Sequence, residues 1–403
     1  MISDIKIIKW YPILIVLMMS SGIIRNLHIG KLYEMFSYTI YFFLALMCLI
    51  YFFRHFKEIK RSNPYVTFMY CLIIGYVIVG FIKQTFIEPS PMYPWERFSI
   101  VCGCLCFGSL FIFMRDEVRM NVLHYYWRWL PLIFVGSFFT ATNELIQPMY
   151  FALFCLCFHR FLPPKRRTFC YFILLMVLVF SMYQRMDIIT VLIPLSIVFL
   201  YNTIQTLNIR KLNFVYNLLF IIPLVFFYLA YSDSFNVLDM ESYMGEVHDE
   251  KAGDMTADTR TFLYEEAGIS AVKNGYTLWG RTPYYGYDSD FVFIISEGRQ
   301  VQRYSEVGIV NLFTIYGLIG TILFIYFYYK EGRKGLYANN AFIKCLAIWL
   351  CVFWVQSWIG NIYHSYDSYY AVMYLVVAML NDRRLRNMNE NEITGYMKHL
   401  MHI

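Results

Sequence analysis

The sequence predicts an all-α integral membrane protein, a single polytopic domain over 1–403 with about twelve spanning helices. Three observations carry that prediction. Residues with apolar or aromatic side chains make up 59% of the chain and charged residues only 15%, against roughly a quarter charged in soluble domains. Apolar runs of about 20 residues, the length needed to cross a bilayer core, recur from one end of the chain to the other. The runs are also too long and too uniformly apolar for the alternating pattern of a membrane β-barrel. Backbone groups surrounded by lipid must therefore be satisfied within each segment, as helices.

Reading the apolar runs against the charged breaks places spans at 7–24, 33–53, 65–82, 98–114, 122–139, 145–162, 169–183, 188–204, 214–231, 307–329, 341–359 and 366–380. Lys6 and Lys9 ahead of the first run resemble the start of a signal peptide. No small-residue cleavage pattern follows, so the segment reads as a retained first span. The loops alternate in charge. One side collects Lys6, Lys9, Arg54, Lys57, Lys60, Arg61, Arg115, Arg119, the 160–167 and 210–211 cations and the basic C-terminal stretch, whereas the short loops of the other hold only Arg25, Lys31, Lys83, Arg97 and Arg185. The excess of Lys and Arg on one side predicts that both termini are cytoplasmic. On that reading the net charge of +6 is a topology signal, and no nucleic-acid partner is expected. The ten cysteines all lie in or beside apolar runs, so a disulfide scaffold is not indicated. Cys102, Cys104 and Cys106 alternate, but on a helix they splay over different faces without an accompanying histidine or acid. They read as packing residues rather than metal ligands.

The one long polar segment is a loop at 232–306, predicted to lie on the outer face. It carries fourteen Asp or Glu and six Lys or Arg. Its first part, to residue 257, is acidic and poor in apolar residues, and reads as a flexible flap. From Asp258 to Lys273-Asn274-Gly275, a capping residue, early acids and a terminal glycine spell a short helix. Arg260 falls in its first turn, where free amides favour an anion. It is placed either to clamp a phosphate or to pair with nearby acids at a wet surface. The stretch 276–290 is dense in rings and punctuated by glycine, with Arg281, Tyr284, Tyr285, Asp288 and Asp290. It suits either a carbohydrate-contacting loop or an aromatic belt at the lipid boundary. Arg299 and Arg303 then lead to Glu306, a carboxylate that opens the next span. Arg185, in a very short turn between spans, faces either a polar ligand or Asp187 and a lipid headgroup. Arg128 and His364 have ordinary interfacial explanations.

Arg185 before a middle span, the loop with Asp258-Thr-Arg260 and Gly280-Arg281, and the closing run from Ser305-Glu306-Val-Gly-Ile-Val-Asn311 to Gly317-Leu-Ile-Gly320 resemble the Wzy-type O-antigen and capsule repeat-unit polymerases. These are relatives of the O-antigen ligases. The likeness covers about 169–380; the first half matches in hydropathy only. It implies a GT-C-like glycosyltransferase in a bacterial inner membrane. Such an enzyme joins polyprenyl-pyrophosphate-linked oligosaccharides at the periplasmic face for O-antigen, capsule or exopolysaccharide synthesis, with no metal or cofactor. Chain-length regulator and flippase proteins are implied partners, besides membrane lipid. Carried over by resemblance, Arg185, Arg260 and Arg281 would hold the pyrophosphate; Tyr284, Tyr285, Asp288 and Arg303 are expected beside them, from the residues themselves, to line the glycan and pyrophosphate site. Ligases of the superfamily show a histidine eleven residues ahead of Gly317, where this chain has Glu306, which favours polymerase over ligase. The displacement needs donors for a departing diphosphate and a base for the attacking hydroxyl. Glu306 or Asp290 is expected as that base, its pKa raised by partial burial. A transporter would instead show charged or broken helices at midplane, which are scarce.

Overall fold

The computed structural model describes residues 4–26, 31–92, 94–140, 146–157, 161–180, 191–192, 195–231, 248–249, 253–254, 261–289, 302–360 and 367–400. Helices dominate. In chain order they are α1 (Asp4–Asn26), α2 (Lys31–Arg54), α3 (Phe56–Ser62), α4 (Pro64–Phe86), α5 (Pro94–Leu105), α6 (Ser109–Phe113), α7 (Asp116–Thr140), α8 (Ile146–Leu156), α9 (Pro164–Phe180), α10 (Tyr201–Thr206) and α11 (Ile209–Tyr231). After them come α12 (Thr261–Lys273), α13 (Gly308–Leu336), α14 (Ala341–Gln356), α15 (Ser368–Asn381), α16 (Arg383–Asn387) and α17 (Glu390–Leu400). Two antiparallel pairs of two-residue strands complete the described secondary structure: β1 (His248–Asp249) with β2 (Gly253–Asp254), and β3 (Tyr287–Asp288) with β4 (Gln302–Arg303).

Five helical stretches among the described residues are long and apolar enough to cross a membrane: Met35–Arg54, Pro64–Phe86, Pro94–Phe113, Ile209–Leu229 and Gly308–Leu336. Most of the other expected spans fall on helices that are shorter, such as α14 and α15, or that carry charge, such as α1 and α7. The span expected at 188–204 lies partly outside the described residues. The helix α11 shows how the chain meets lipid. Phe214, Leu218, Ile221 and Val225 recur at helical spacing and stand exposed, while Leu212, Tyr216 and Phe220 on the opposite face are buried. The buried face packs on α14, where Trp354 Nε1 donates to the Phe220 carbonyl at 2.9 Å and the two rings stack at 4.9 Å. An apolar stripe of this kind is suited to hydrocarbon and not to water. The described residues thus form a predominantly helical protein whose long apolar helices suit it to a membrane.

Two ends of the bundle differ in character. At one, which we call the basic end, the starts of α1 and α7 meet the chain around Arg54 and the C-terminal helices. Arg54 pairs with Asp4. Arg119, 1% exposed, pairs with Asp116 and with Asp382 at 2.9 Å, and Asp116 also takes Arg384 and the Tyr396 hydroxyl. Glu331, fully buried, accepts from Lys334 at 2.8 Å and from Asn381. The ten cysteines are all unpaired, and nine are buried. Cys102, Cys104 and Cys106 are all buried, as packing residues would be, with Cys106–Gly108 forming a 3₁₀ turn after α5.

At the other end, the loop end, α13 is broken. Gly317 takes φ 66° and ψ −170°, a positive-φ conformation that separates the segment 308–316 from the long apolar helix. The segment following α12 crosses α13 at this break. Arg281 and Thr282 donate their amides to the Thr314 and Ile315 carbonyls at 2.7 and 3.1 Å, and Leu318 and Ile319 donate to the Thr277 and Leu278 carbonyls at 2.8 and 3.2 Å. A helix would have joined Leu318 to Thr314 and Ile319 to Ile315. The crossing chain satisfies all four freed groups. Close approach is possible because both strands carry glycine where they meet. A Cβ on Gly280 would lie 2.3 Å from the Ile315 oxygen, and one on Gly317 would lie 2.4 Å from that of Leu278.

Gly280→Ala should therefore lower stability by about 2–3 kcal/mol, from the positive φ and the lost crossing together. Melting of the purified protein in detergent checks this, with Gly268→Ala, where nothing lies within 4 Å of the new Cβ, as the comparison; equal melting temperatures would refute it.

Candidate functional site

The loop end gathers most of the described residues that sequence reasoning singled out. The predicted loop helix is present as α12, and Gly275 at φ 68° ends it, as the terminal glycine predicts. The crossing segment then carries Arg281 into a pocket of acceptors. Its Nη1 donates to the Asp288 carboxylate and to the Gly286 carbonyl, each at 2.9 Å, and its guanidinium lies 4.8 Å from the centre of the Tyr276 ring. The Nε and Nη2 edges take no partner among the described residues. Asp288 also accepts from Asn274 at 2.6 Å and Gln302 at 3.1 Å. Burial pulls the Asp288 carboxyl upward, but the Arg281 hydrogen bond and charge, with the two amide donors, outweigh it and hold the pKa below the ordinary carboxylate range.

Arg303 enters through β4, which pairs Arg303 with Tyr287 and Gln302 with Asp288. Its guanidinium lies 5.9 Å from the Tyr287 ring and it attracts Glu96 at the start of α5. Burial pushes the Tyr287 hydroxyl up to about 12. Tyr284 is half-buried, with Ser90 donating to its carbonyl at 2.6 Å. Tyr285 is fully buried under the turn; its hydroxyl donates to the Glu88 carbonyl and Lys83 lies over its ring at 4.6 Å. The aromatic stretch therefore divides. Leu278 and Trp279 are exposed, as a lipid-boundary belt requires, whereas Tyr276, Tyr285 and Tyr287 are packing residues that shape the turn rather than open platforms for a sugar.

Glu306 is exposed just before α13, not partly buried as expected, because the chain turns outward between buried Ser305 and Val307. Arg185, Arg260 and Asp290 lie outside the described residues, as does most of the acidic part of the loop and His364. Sequence reasoning missed Lys83, Glu96 and Arg97, which approach the turn from the α4–α5 region; Arg97 acts electrostatically on both Tyr284 and Tyr285. The available signal was topological: Lys83 and Arg97 are two of the few cations assigned to the loop side. It also missed Asp367, which caps α15 at the same end by accepting from the Tyr370 amide at 3.1 Å.

Two signs mark the turn as more than packing. Thr282 is the non-glycine residue with positive φ among the described residues, at 77°, which is strain localised beside Arg281. The Thr282 hydroxyl and Gln302 Oε1 are buried without a hydrogen-bond partner among the described residues, and buried polar groups normally have one. Lys83, Arg97, Arg281 and Arg303 thus surround a turn with spare hydrogen-bonding capacity. Such an arrangement is suited to an anionic, oxygen-rich ligand. No group of three or more His, Cys, Asp or Glu among the described residues is placed to hold a metal ion.

The Asp288 pKa fixes a sign. Its folded value lies below the unfolded one, so its contribution is present above about pH 4 and lost as pH falls through the folded value. Asp288→Asn should make the 276–289 segment several-fold more sensitive to limited proteolysis at pH 7, and the difference should shrink as both proteins are acidified below pH 4. A difference that does not change with pH would contradict the assignment. Compared with known proteins, the chain matches no family model, no curated protein and no solved structure.

Proposed function

We propose that this protein is a polymerase of lipid-linked oligosaccharide repeat units, acting at the outer face of a bacterial inner membrane with both termini in the cytoplasm. The observation that supports this most is the turn carrying Arg281. It is held over the break in α13, at the end of the bundle opposite the basic end, with Arg303, Lys83 and Arg97 around it. The basic end is then the cytoplasmic one by the charge rule. The reacting centre of a polyprenyl-pyrophosphate donor sits at the bilayer boundary while its tail stays in hydrocarbon. A site pinned to the top of a spanning helix meets that geometry.

In the reaction a sugar hydroxyl attacks the anomeric carbon, the bond to the pyrophosphate oxygen breaks, and the hydroxyl proton passes to a base. Forked guanidinium donors stabilise the diphosphate as it leaves. The free edge of Arg281 suits this role, its orientation fixed through Nη1 by Asp288. Arg303, and Arg185 and Arg260 by resemblance, would add donors. For the base, Glu306 is open to an incoming acceptor and Asp290 stays a candidate by resemblance. The ligase reading keeps less support, since Glu306 stands where ligases show histidine.

Deleting the gene should leave single repeat units on the surface lipid. Long polymer stranded on the carrier would identify a ligase, and absence of units from the outer face a transporter. Replacing Arg303 by Gln, and the Arg281–Asp288 pair jointly by Gln and Asn so that no half-buried carboxylate is left alone, should each slow chain extension by roughly a hundredfold at unchanged protein level. Normal chain length in both variants would refute the clamp.

A further inference from the structure

The exposed side of α12 plays no part in the site around Arg281. Leu263, Ala267, Ser270 and Ala271 form the buried face of this helix. On its other side Ile269 and Val272 stand 66% and 76% exposed, one turn apart, with the exposed charges of Glu265 and Lys273 to either side. Beyond the glycine that ends the helix, Leu278 and Trp279 are exposed as well. Four apolar side chains left open so close together, in a loop that is otherwise polar, mark a surface that something covers.

The attachments of α12 fix the level at which it lies. Near its start, Tyr264 donates its hydroxyl to the Trp358 carbonyl, and its ring centre lies 5.4 Å from that of Phe227. Phe227 belongs to the stretch Ile209–Leu229, long and apolar enough to span, and both it and Tyr228 are exposed on α11. Past the other end of α12, the Thr277 and Leu278 carbonyls accept from the Leu318 and Ile319 amides. Leu318 and Ile319 have exposed side chains on a second spanning stretch, Gly308–Leu336. Main chains joined in this way run about 5 Å apart, so Leu278 and Trp279 lie at the surface that Leu318 and Ile319 present to lipid. The helix α12 is therefore strung between the loop-side ends of two spanning helices, along the membrane plane and not out into water.

We propose that the exposed edge of α12, together with Leu278 and Trp279, is a membrane-binding surface seated in the bilayer leaflet at the loop end. Its partner is lipid, at the boundary where acyl chains meet headgroups. The chemistry of the edge fits that layer. Ile269 and Val272 reach acyl chains while Glu265 and Lys273 reach headgroups, as in helices that lie in an interface. An indole at that depth keeps its ring in the boundary layer with its N–H toward the polar side. Arg281 follows Trp279 by two residues, which places it at the phosphate level of the same leaflet, within reach of an amphiphile travelling there. The proposal rests on the apolar spans alone and holds whatever reaction takes place at the turn.

Full-length protein in phosphatidylcholine nanodiscs tests this, in a Cys71→Ser background that removes the one exposed cysteine of the ten. Ile269→Cys and Val272→Cys alter exposed positions and leave the packed core untouched, and unchanged melting temperatures show each labelled protein folded. A bimane label at either position should emit to the blue of the same label on Glu306→Cys, at an exposed position ahead of α13. Phosphatidylcholine carrying a nitroxide near the top of its acyl chain should quench the labels at 269 and 272 by about twofold or more and the label at 306 little, as for a helix seated a few ångströms into the leaflet. Iodide in the buffer should give the reverse order. Strong iodide quenching at 269 and 272 without quenching by the nitroxide lipid would overturn the proposal, because the edge would then face water. Protection from both quenchers would overturn it equally, by showing that protein, such as a second copy of the chain, is the cover.

Discussion

The loop end depends on one constraint: a backbone broken near the edge of hydrocarbon must have its amides and carbonyls answered by protein. Gly317 opens α13, and the segment 277–282 supplies the two donors and two acceptors that the break sets free. Each such bond is worth only about 1 kcal/mol net, but each one left unmade in a dry setting costs more than that. Break and crossing segment therefore stand or fall together. The helix α4 closes the third side. Tyr76 donates to the Trp279 carbonyl at 2.7 Å, and Gly80 leaves room for Thr282 and Tyr284. The Arg281 amide makes one of the crossing bonds, so its position is set by main chain.

The charge chemistry of the two ends follows different rules. At the basic end, buried charges sit in ion-pair networks, in which Arg119 Nε and Nη1 stay without a hydrogen-bond partner among the described residues. Arg119 faces Asp116 and Asp382, and Glu331 faces Lys334 and Asn381. Removing one member would strand another, and the energy lies in avoiding that. At the loop end the pairing is incomplete. Arg281 engages Asp288 through one nitrogen, and Thr282 and Gln302 carry polar atoms without partners among the described residues. The ion pairs of the basic end fasten the C-terminal helices to α7.

Much of the helical body is legible in the sequence because its signals are local. The expected spans at 33–53, 65–82 and 214–231 fall within α2, α4 and α11, since length and apolarity decide such helices without reference to neighbours. The loop helix is legible too, from Gly275 and the early acids. What sequence could not supply is long-range. Nothing near Gly280 announces that it meets Gly317, because the reason for both glycines is the other strand. Asp288 reads as an acceptor for sugar hydroxyls, yet it is committed to Arg281, seven residues earlier, by a turn that local pattern does not specify. Tyr285 reads as an aromatic platform, but it lies buried beneath Lys83, and Lys83 belongs to a half of the chain that resembled nothing beyond its hydropathy. Glu306 was expected to be shielded by the span it opens, and its exposure depends on Ser305 turning inward to Asn311.

The balance of charge at the turn bears on how a diphosphate would be held in the proposed site. Lys83, Arg97, Arg281 and Arg303 are opposed by Glu88, Glu96 and Asp288, so bulk charge there is close to neutral. A leaving group would then be held by oriented donors and not by a positive field. The distinction has a consequence. A field attracts any anion from solution and weakens with salt, whereas fixed forked donors in a partly dry recess act at short range and discriminate by shape. The Asp288 carboxylate lowers the net attraction of Arg281 for phosphate, but it removes the freedom of the guanidinium to reorient. For a group required only as charge develops on the leaving oxygen, fixed orientation is worth more than ground-state affinity. The strained φ of Thr282 beside it belongs to the same economy: stability provided by the four crossing bonds holds a local conformation that the segment would not adopt alone.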